Sequence, residues 1–153
     1  MTGFFGKLPS HGDFVTRGLG SGVRVFLDRW LSLGPALALR DGVIWPEKGV
    51  RGLLQGPKGP IAVLVLASRD TPGRLFPFAA CAEVCTDQKG VDEWAEQILP
   101  ALAGATRTGA DPDALLAKLS AFLPEHSDHP LSHTCVWCDG VAPEPSEVFF
   151  GHL

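Results

Sequence analysis

Ile61-Ala62-Val63-Leu64-Val65-Leu66-Ala67 is the longest uninterrupted apolar run in the chain. It is far shorter than the roughly 20 residues a membrane-spanning helix requires. A short β-rich run with no polar alternation fits a strand buried on both faces, which places it centrally with helices on each side. Asp70-Thr71-Pro72-Gly73 then reads as a β-turn, with Asp in its first position and Gly in its fourth. Arg74 to Val84 returns as a second strand, an antiparallel hairpin partner at the sheet centre. Pro77 marks a bulge or an unpaired edge position there, because it has no N–H to give a ladder.

Upstream, Gly56-Pro57-Lys58-Gly59-Pro60 is a turn; it lacks the Gly-Lys-Ser/Thr and helix start of a phosphate loop. Short strands are expected at Val43–Trp45 and Val50–Leu54. Before them, Phe26, Trp30, Leu33 and Leu37 trace a helical face from Val23 onward. Gly34-Pro35 breaks that helix, and Ala36 to Leu39 forms a second short one before Asp41-Gly42. The stripe reads as core. Gly18-Leu19-Gly20-Ser21-Gly22 is a flexible joint.

Downstream, Val91, Trp94, Ile98 and Leu102 line one helix, with Pro100 as a kink or register break. The next helix has the clearest start signal in the chain: Asp111 as N-cap, Pro112 in the first helical position and Asp113 in the first turn. Its core face is Leu115, Leu116, Leu119, Phe122 and Leu123, and Pro124 stops it. Thr134–Cys138 is a strand, Asp139 to Ser146 a turn-rich connection, and Glu147–Phe150 a last short strand. Interleaved helices and strands with a tight hairpin give an α/β fold, helices on a mixed, partly antiparallel sheet.

The 153 residues fit a single domain, residues 1–153, long enough to bury a core without staples. A net charge of −4 with scattered Lys and Arg excludes a nucleic-acid footprint, which needs a basic face. No basic segment followed by an apolar stretch opens the chain, and no run is long enough to insert in a membrane. The reading is cytoplasmic, and the four cysteines are then thiols.

Several groups have the residue types of a reactive site. Ser10, His11 and Asp13 suggest a hydrolase triad, but side chains this close in sequence diverge, and a hydrogen-bonded turn is the plainer reading. Cys81, Cys85, Cys135 and Cys138 could close a zinc site, yet both pairs fall in strands, where Cys135 and Cys138 point to opposite faces. His126, Asp128, His129 and His133 form a metal-capable loop in which Pro130 prevents a helix. None of these sets requires a metal or another cofactor.

The opening stretch, Gly3-Phe4-Phe5-Gly6-Lys7-Leu8-Pro9-Ser10-His11-Gly12-Asp13-Phe14, is too punctuated for a helix and too aromatic for a tail. It predicts a strand over Thr2 to Gly6 and a fixed turn anchored by Phe4 or Phe5, Leu8 and Phe14. That turn presents Lys7, Ser10, His11 and Asp13. From Gly3 through Arg17 the sequence resembles the opening signature of the TagF family, proteins associated with bacterial type VI secretion. The pattern is Gly-aromatic-aromatic-Gly-Lys-Leu-Pro-x-x-Gly-Asp-Phe-Val-x-Arg. Ser68-Arg69-Asp70-Thr71-Pro72-Gly73-Arg74-Leu75-Phe76-Pro77-Phe78 resembles a second family segment, and Cys135-Val136-Trp137-Cys138-Asp139-Gly140 its terminal Trp-containing strand. Val50-Arg51-Gly52-Leu53-Leu54 is the shorter counterpart of a Trp-Arg-Phe-like family strand.

The resemblance implies a three-layer αβα fold. It also implies a non-catalytic repressor of type VI secretion assembly that acts through protein partners, among them a forkhead-associated-domain component of the apparatus. Lys7, Ser10, His11, Asp13, Arg17, Asp70 and Arg74 are the candidate partner-binding residues, and an Asp13–Arg74 ion pair would join the two motifs. The other readings are a small hydrolase or metal-dependent enzyme, and a structural subunit of the same apparatus.

Overall fold

The Ile61 run is β4 (Gly59–Leu66), fourth in a seven-stranded sheet of a computed structural model that describes residues 1–151. The other strands are β1 (Gly3–Gly6), β2 (Val15–Arg17), β3 (Val50–Gly56), β5 (Phe78–Ala82), β6 (Cys135–Cys138) and β7 (Glu144–Pro145). Their order across the sheet is β2-β1-β5-β4-β3-β6-β7. Five helices join or follow them: α1 (Val23–Leu33), α2 (Pro35–Arg40), α3 (Gln88–Thr108), α4 (Pro112–Leu119) and α5 (Ser146–Gly151).

The side chains of β4 alternate between two cores. Ala62, Leu64 and Leu66 pack with Val91, Trp94, Ile98 and Leu102 of α3 and with Leu115 and Leu119 of α4. Ile61, Val63 and Val65 pack with Val23, Leu27 and Leu31 of α1, with Ala36 of α2 and with Phe149 of α5. The chain is therefore α/β with three layers, helices on both faces of the sheet, as its doubly apolar central strand requires.

The mixed sheet is corrected: all six strand pairings are antiparallel. Consecutive strands that pair here are joined by connections too short for a parallel crossover, which needs a dozen residues or more. β3 and β4, for example, meet through Gly56↔Gly59.

Other expectations shift for local reasons. Val43–Trp45 is not a strand; the Trp45 indole donates to the Val65 carbonyl at 2.9 Å, which places it across the end of β4. The second hairpin strand starts only at Phe78, preceded by an isolated Arg69–Leu75 bridge. The intervening backbone is taken up by other partners, with the Pro77 carbonyl accepting from Lys7 N. The buried face of α1 is Val23, Leu27 and Leu31; Phe26 and Trp30 lie at its margin, and Leu33 and Leu37 are exposed. α3 runs continuously past Pro100, which sits on its exposed side. α4 ends at Leu119, leaving Phe122 and Leu123 largely exposed. Glu147–Phe150 is helical rather than extended, and Phe149 and Phe150 both turn toward the α1-side core. Successive strand residues would point to opposite faces.

Leu27 is fully buried whereas Leu33 is 66% exposed. Leu27→Ala is expected to lose about 3 kcal/mol of unfolding free energy, as large-to-small core changes do. Leu33→Ala should stay within about 0.5 kcal/mol. Urea midpoints of the two variants measure the difference directly.

Candidate functional site

Asp70 gathers the two sequence motifs. Its side chain is fully buried and receives Lys7 Nζ at 2.9 Å, the Arg74 backbone N–H at 2.8 Å and Arg74 Nε at 2.7 Å. The Asp70 carbonyl closes the expected β-turn by accepting from Gly73 N at 3.0 Å. Further bonds join the loops: Ser68 Oγ to the Lys7 carbonyl, Thr71 N to the His11 carbonyl, Thr71 Oγ1 to the Pro9 carbonyl and Arg74 Nη2 to the Gly12 carbonyl. Gly6 is required where β1 enters this pair, since a Cβ there would lie 2.3 Å from the Pro77 carbonyl oxygen.

Arg74 thus meets Asp70 and Gly12, not Asp13. The Asp13 carboxylate accepts from the neighbouring Phe14 N–H at 2.7 Å. Ser10 Oγ lies 2.8 Å from His11 Nδ1 and accepts from Ala110 N at 3.2 Å, so it docks the first loop on the α3–α4 connection. Gly109 permits that approach: its φ is +86° and a Cβ would fall 2.4 Å from Ser10 Cβ. With Asp13 turned to its own backbone, the three residues do not assemble a relay. Arg17 stands apart on edge strand β2, paired at the surface with Asp113 of α4 at 2.9 Å.

Phe14 is the component the charged residues obscured. Its ring stacks on Phe5 at 5.3 Å, meets Phe76 edge-on at 5.0 Å and carries Lys7 Nζ 5.0 Å above its centroid. It nevertheless remains 43% exposed, beside a turn in which Arg74 and Leu75 are also exposed. The loop pair therefore offers aromatic, aliphatic and guanidinium groups on a fixed frame.

A second charged cluster went unread. Arg51 of β3 has a fully buried side chain, between Asp92 (2.9 Å) and Glu96 (2.7 Å) of α3 and Asp139 (3.2 Å) after β6. Trp137, its register partner on β6, donates Nε1 to Asp92 at 2.9 Å. Burial opposes the Arg51 charge, but the hydrogen bonds it donates to Glu96 and Asp92, with the nearby Asp139, outweigh it and raise its pKa. A lone Arg inside an apolar β-run, with Asp92 and Glu96 one helical turn apart, was the available signal.

Three of the four cysteines pack into the cores, while Cys85 Sγ lies 3.4 Å from the Ser127 carbonyl. Burial, reinforced by Glu83, pushes the Cys81 thiol up to about 12. Cys135 packs on the α3 side and Cys138 on the α1 side, and burial raises both thiols. His126 faces Asp128 at 3.0 Å in an exposed loop. Among the described residues no three His, Cys, Asp or Glu side chains are placed to share a metal.

Desolvation works to raise the Asp70 pKa, but the hydrogen bonds from Lys7 and Arg74 prevail and hold it at about 2. A depressed carboxylate stabilises the fold above its unfolded value near 3.9 and loses that contribution as pH falls through the folded value. Unfolding free energy should therefore drop between about pH 4 and about pH 2, and Asp70→Asn should flatten that part of the urea-midpoint profile. Asp92→Ala removes an acceptor shared by Arg51 and Trp137, and should cost about 3 kcal/mol by the same measurement at pH 7.

Residues 3–43 match the model of the TagF N-terminal domain, described as type VI secretion system-associated. No curated protein matches the sequence. Three chains of solved structures match, among them the crystal structure of PA0076 from Pseudomonas aeruginosa PAO1. It is 27% identical with a TM-score of 0.62, and the match covers 82% of this chain. The chain spans 64% of that protein's length. The matched residues 3–43 hold β1, β2, α1 and α2 and half of the locked loop pair, so over this segment the chain is similar to the TagF N-terminal domain of type VI secretion system-associated proteins.

Proposed function

We propose that this protein is a non-catalytic regulator that represses type VI secretion assembly after translation, in the cytoplasm, by binding a protein component of the apparatus. The supporting observation is the locked loop pair, whose frame is set by Asp70 and whose exposed groups are Phe14, Arg74 and Leu75. Aromatic and Arg side chains held in place before binding are the usual energetic centre of protein interfaces, because little side-chain freedom remains to be lost. No step in such binding needs a cofactor. A forkhead-associated-domain component is the partner that the resemblance to the TagF family suggests.

On this reading the seven candidate residues divide by role. Lys7 and Asp70 are interior to the frame, with side chains 12% and 0% exposed, so they position the surface. Ser10 and His11 fix the first loop, and Arg74 both braces the frame and faces outward, its side chain 66% exposed. Asp13 adjoins Phe14 and contributes charge beside it, whereas Arg17 lies apart on β2, paired with Asp113.

The test is co-purification of tagged protein from its native cells, with mass spectrometry of what is retained. Phe14→Ala and Leu75→Asp should each reduce retained apparatus components about tenfold, as loss of an interface anchor does. Circular dichroism should show both variants folded. Retention unchanged by either variant would remove this surface from the function.

A further inference from the structure

We infer that the groove between α1–α2 and α5 is a second docking site, which takes an amphipathic segment of a partner protein carrying apolar anchors and Lys or Arg. This goes beyond the loop-pair surface. The groove holds about 750 Å³ and is lined by Trp30, Leu33, Leu37, Asp41, Glu147 and Phe150, among others. Its aromatic floor is built by Phe150, which stacks with Trp45 at 6.2 Å and meets Trp30 edge-on at 6.1 Å. The Trp30 indole N–H is already taken by Ser146 Oγ at 3.1 Å, so the floor offers ring surface rather than an unmet donor. Gly34 lets the ring close in, since a Cβ there would sit 3.1 Å from Phe150 Cδ2.

The walls are apolar and open to solvent. Leu33 and Leu37 are 66% and 45% exposed, and Ile44, next to the lining residue Val43, is 94% exposed. Contiguous exposed apolar side chains around a concavity mark interaction sites rather than ordinary surface. The same side chains explain why the apolar stripe in the sequence includes residues that the core does not use.

The charge of the lining selects the occupant. Among the described residues, Asp41 and Glu147 are its only ionisable members, and neither takes part in an ion pair with another of them. Among the described residues no cation lines the groove, and the chain as a whole carries a net charge of −4. An acidic segment would be repelled, and a basic one attracted and oriented. A second copy of this chain is disfavoured on the same ground, because an isologous contact presents the same acidic patch from both sides. A helix laid with its apolar face on the aromatic floor and Lys or Arg toward Asp41 and Glu147 meets both requirements.

Three short synthetic peptides test this on the full chain. One alternates Leu and Lys at amphipathic helical spacing, one replaces each Lys by Glu, and one replaces each Leu by Ser. None contains Trp, so the fluorescence of the groove tryptophans reports binding. The Leu/Lys peptide should give a saturable shift, weakened about tenfold by Leu37→Asp and by the Asp41→Lys, Glu147→Lys double variant. These positions lie outside the two cores, and circular dichroism checks the fold. The proposal fails if no shift occurs, if the Glu or Ser peptide binds equally, or if the variants bind as the parent does. Self-association in sedimentation, abolished by Leu37→Asp, would overturn it in favour of a second copy.

Discussion

A single buried carboxylate holds the two motif loops of this molecule in register. Asp70 accepts from Lys7 on one loop and from the backbone and guanidinium of Arg74 on its own. Each donor is itself constrained: the Lys7 carbonyl accepts from Ser68, and Arg74 reaches across to Gly12. A carboxylate removed from water is tolerable only when its lone pairs are occupied, and here cations and a backbone N–H occupy them. Phe14 can remain partly exposed and still be ordered because Lys7, fixed by Asp70, sits over its ring while Phe5 and Phe76 hold its other sides.

Arg51 poses the complementary problem, a buried cation surrounded by carboxylates at the protein surface. Its partners Asp92, Glu96 and Asp139 are 30%, 48% and 46% exposed, so water shares their charge while the guanidinium has none. Such a cluster adds little net stability compared with an apolar core, but losing one partner leaves the buried charge under-compensated. Its structural effect is to tie α3 to β3 and to the end of β6, on the face of the sheet away from α1. Lys48 adds a second cation to Asp139 at the rim.

The sequence was legible where one local rule dominated. The apolar run at Ile61 specified a central strand, and Asp111-Pro112 specified a helix start, its carboxylate accepting from Ala114 N. The Asp70 turn formed as read. Tertiary choices were not legible. Two helical faces were available on α1, and packing chose Leu27 and Leu31 over Leu33, because Leu33 faces the groove. The Phe149-Phe150 pair has strand propensity, yet both rings are drawn to one side by the α1-side core and Trp45. Within the site, the residue types were visible but their pairing was not. Asp13 and Asp70 are equivalent in sequence as partners for Arg74, and only the Gly73 turn, folding Arg74 back on Asp70, separates them.

The register of β1 carries a consequence for how the protein comes into being. Phe4 and Phe5 pair with Ala80 and Ala79 of β5, and Gly6 pairs with Phe78. The matched segment, residues 3–43, therefore holds one neighbour of its first strand, β2, but neither the other, β5, nor the carboxylate that fixes its turn. On a ribosome, that segment emerges before β5, and until β5 has been made β1 has only β2 beside it. The loop-pair surface is thus assembled only once Asp70, Arg74 and β5 have been made, and a chain interrupted before them displays the opening motif without the contacts that fix it.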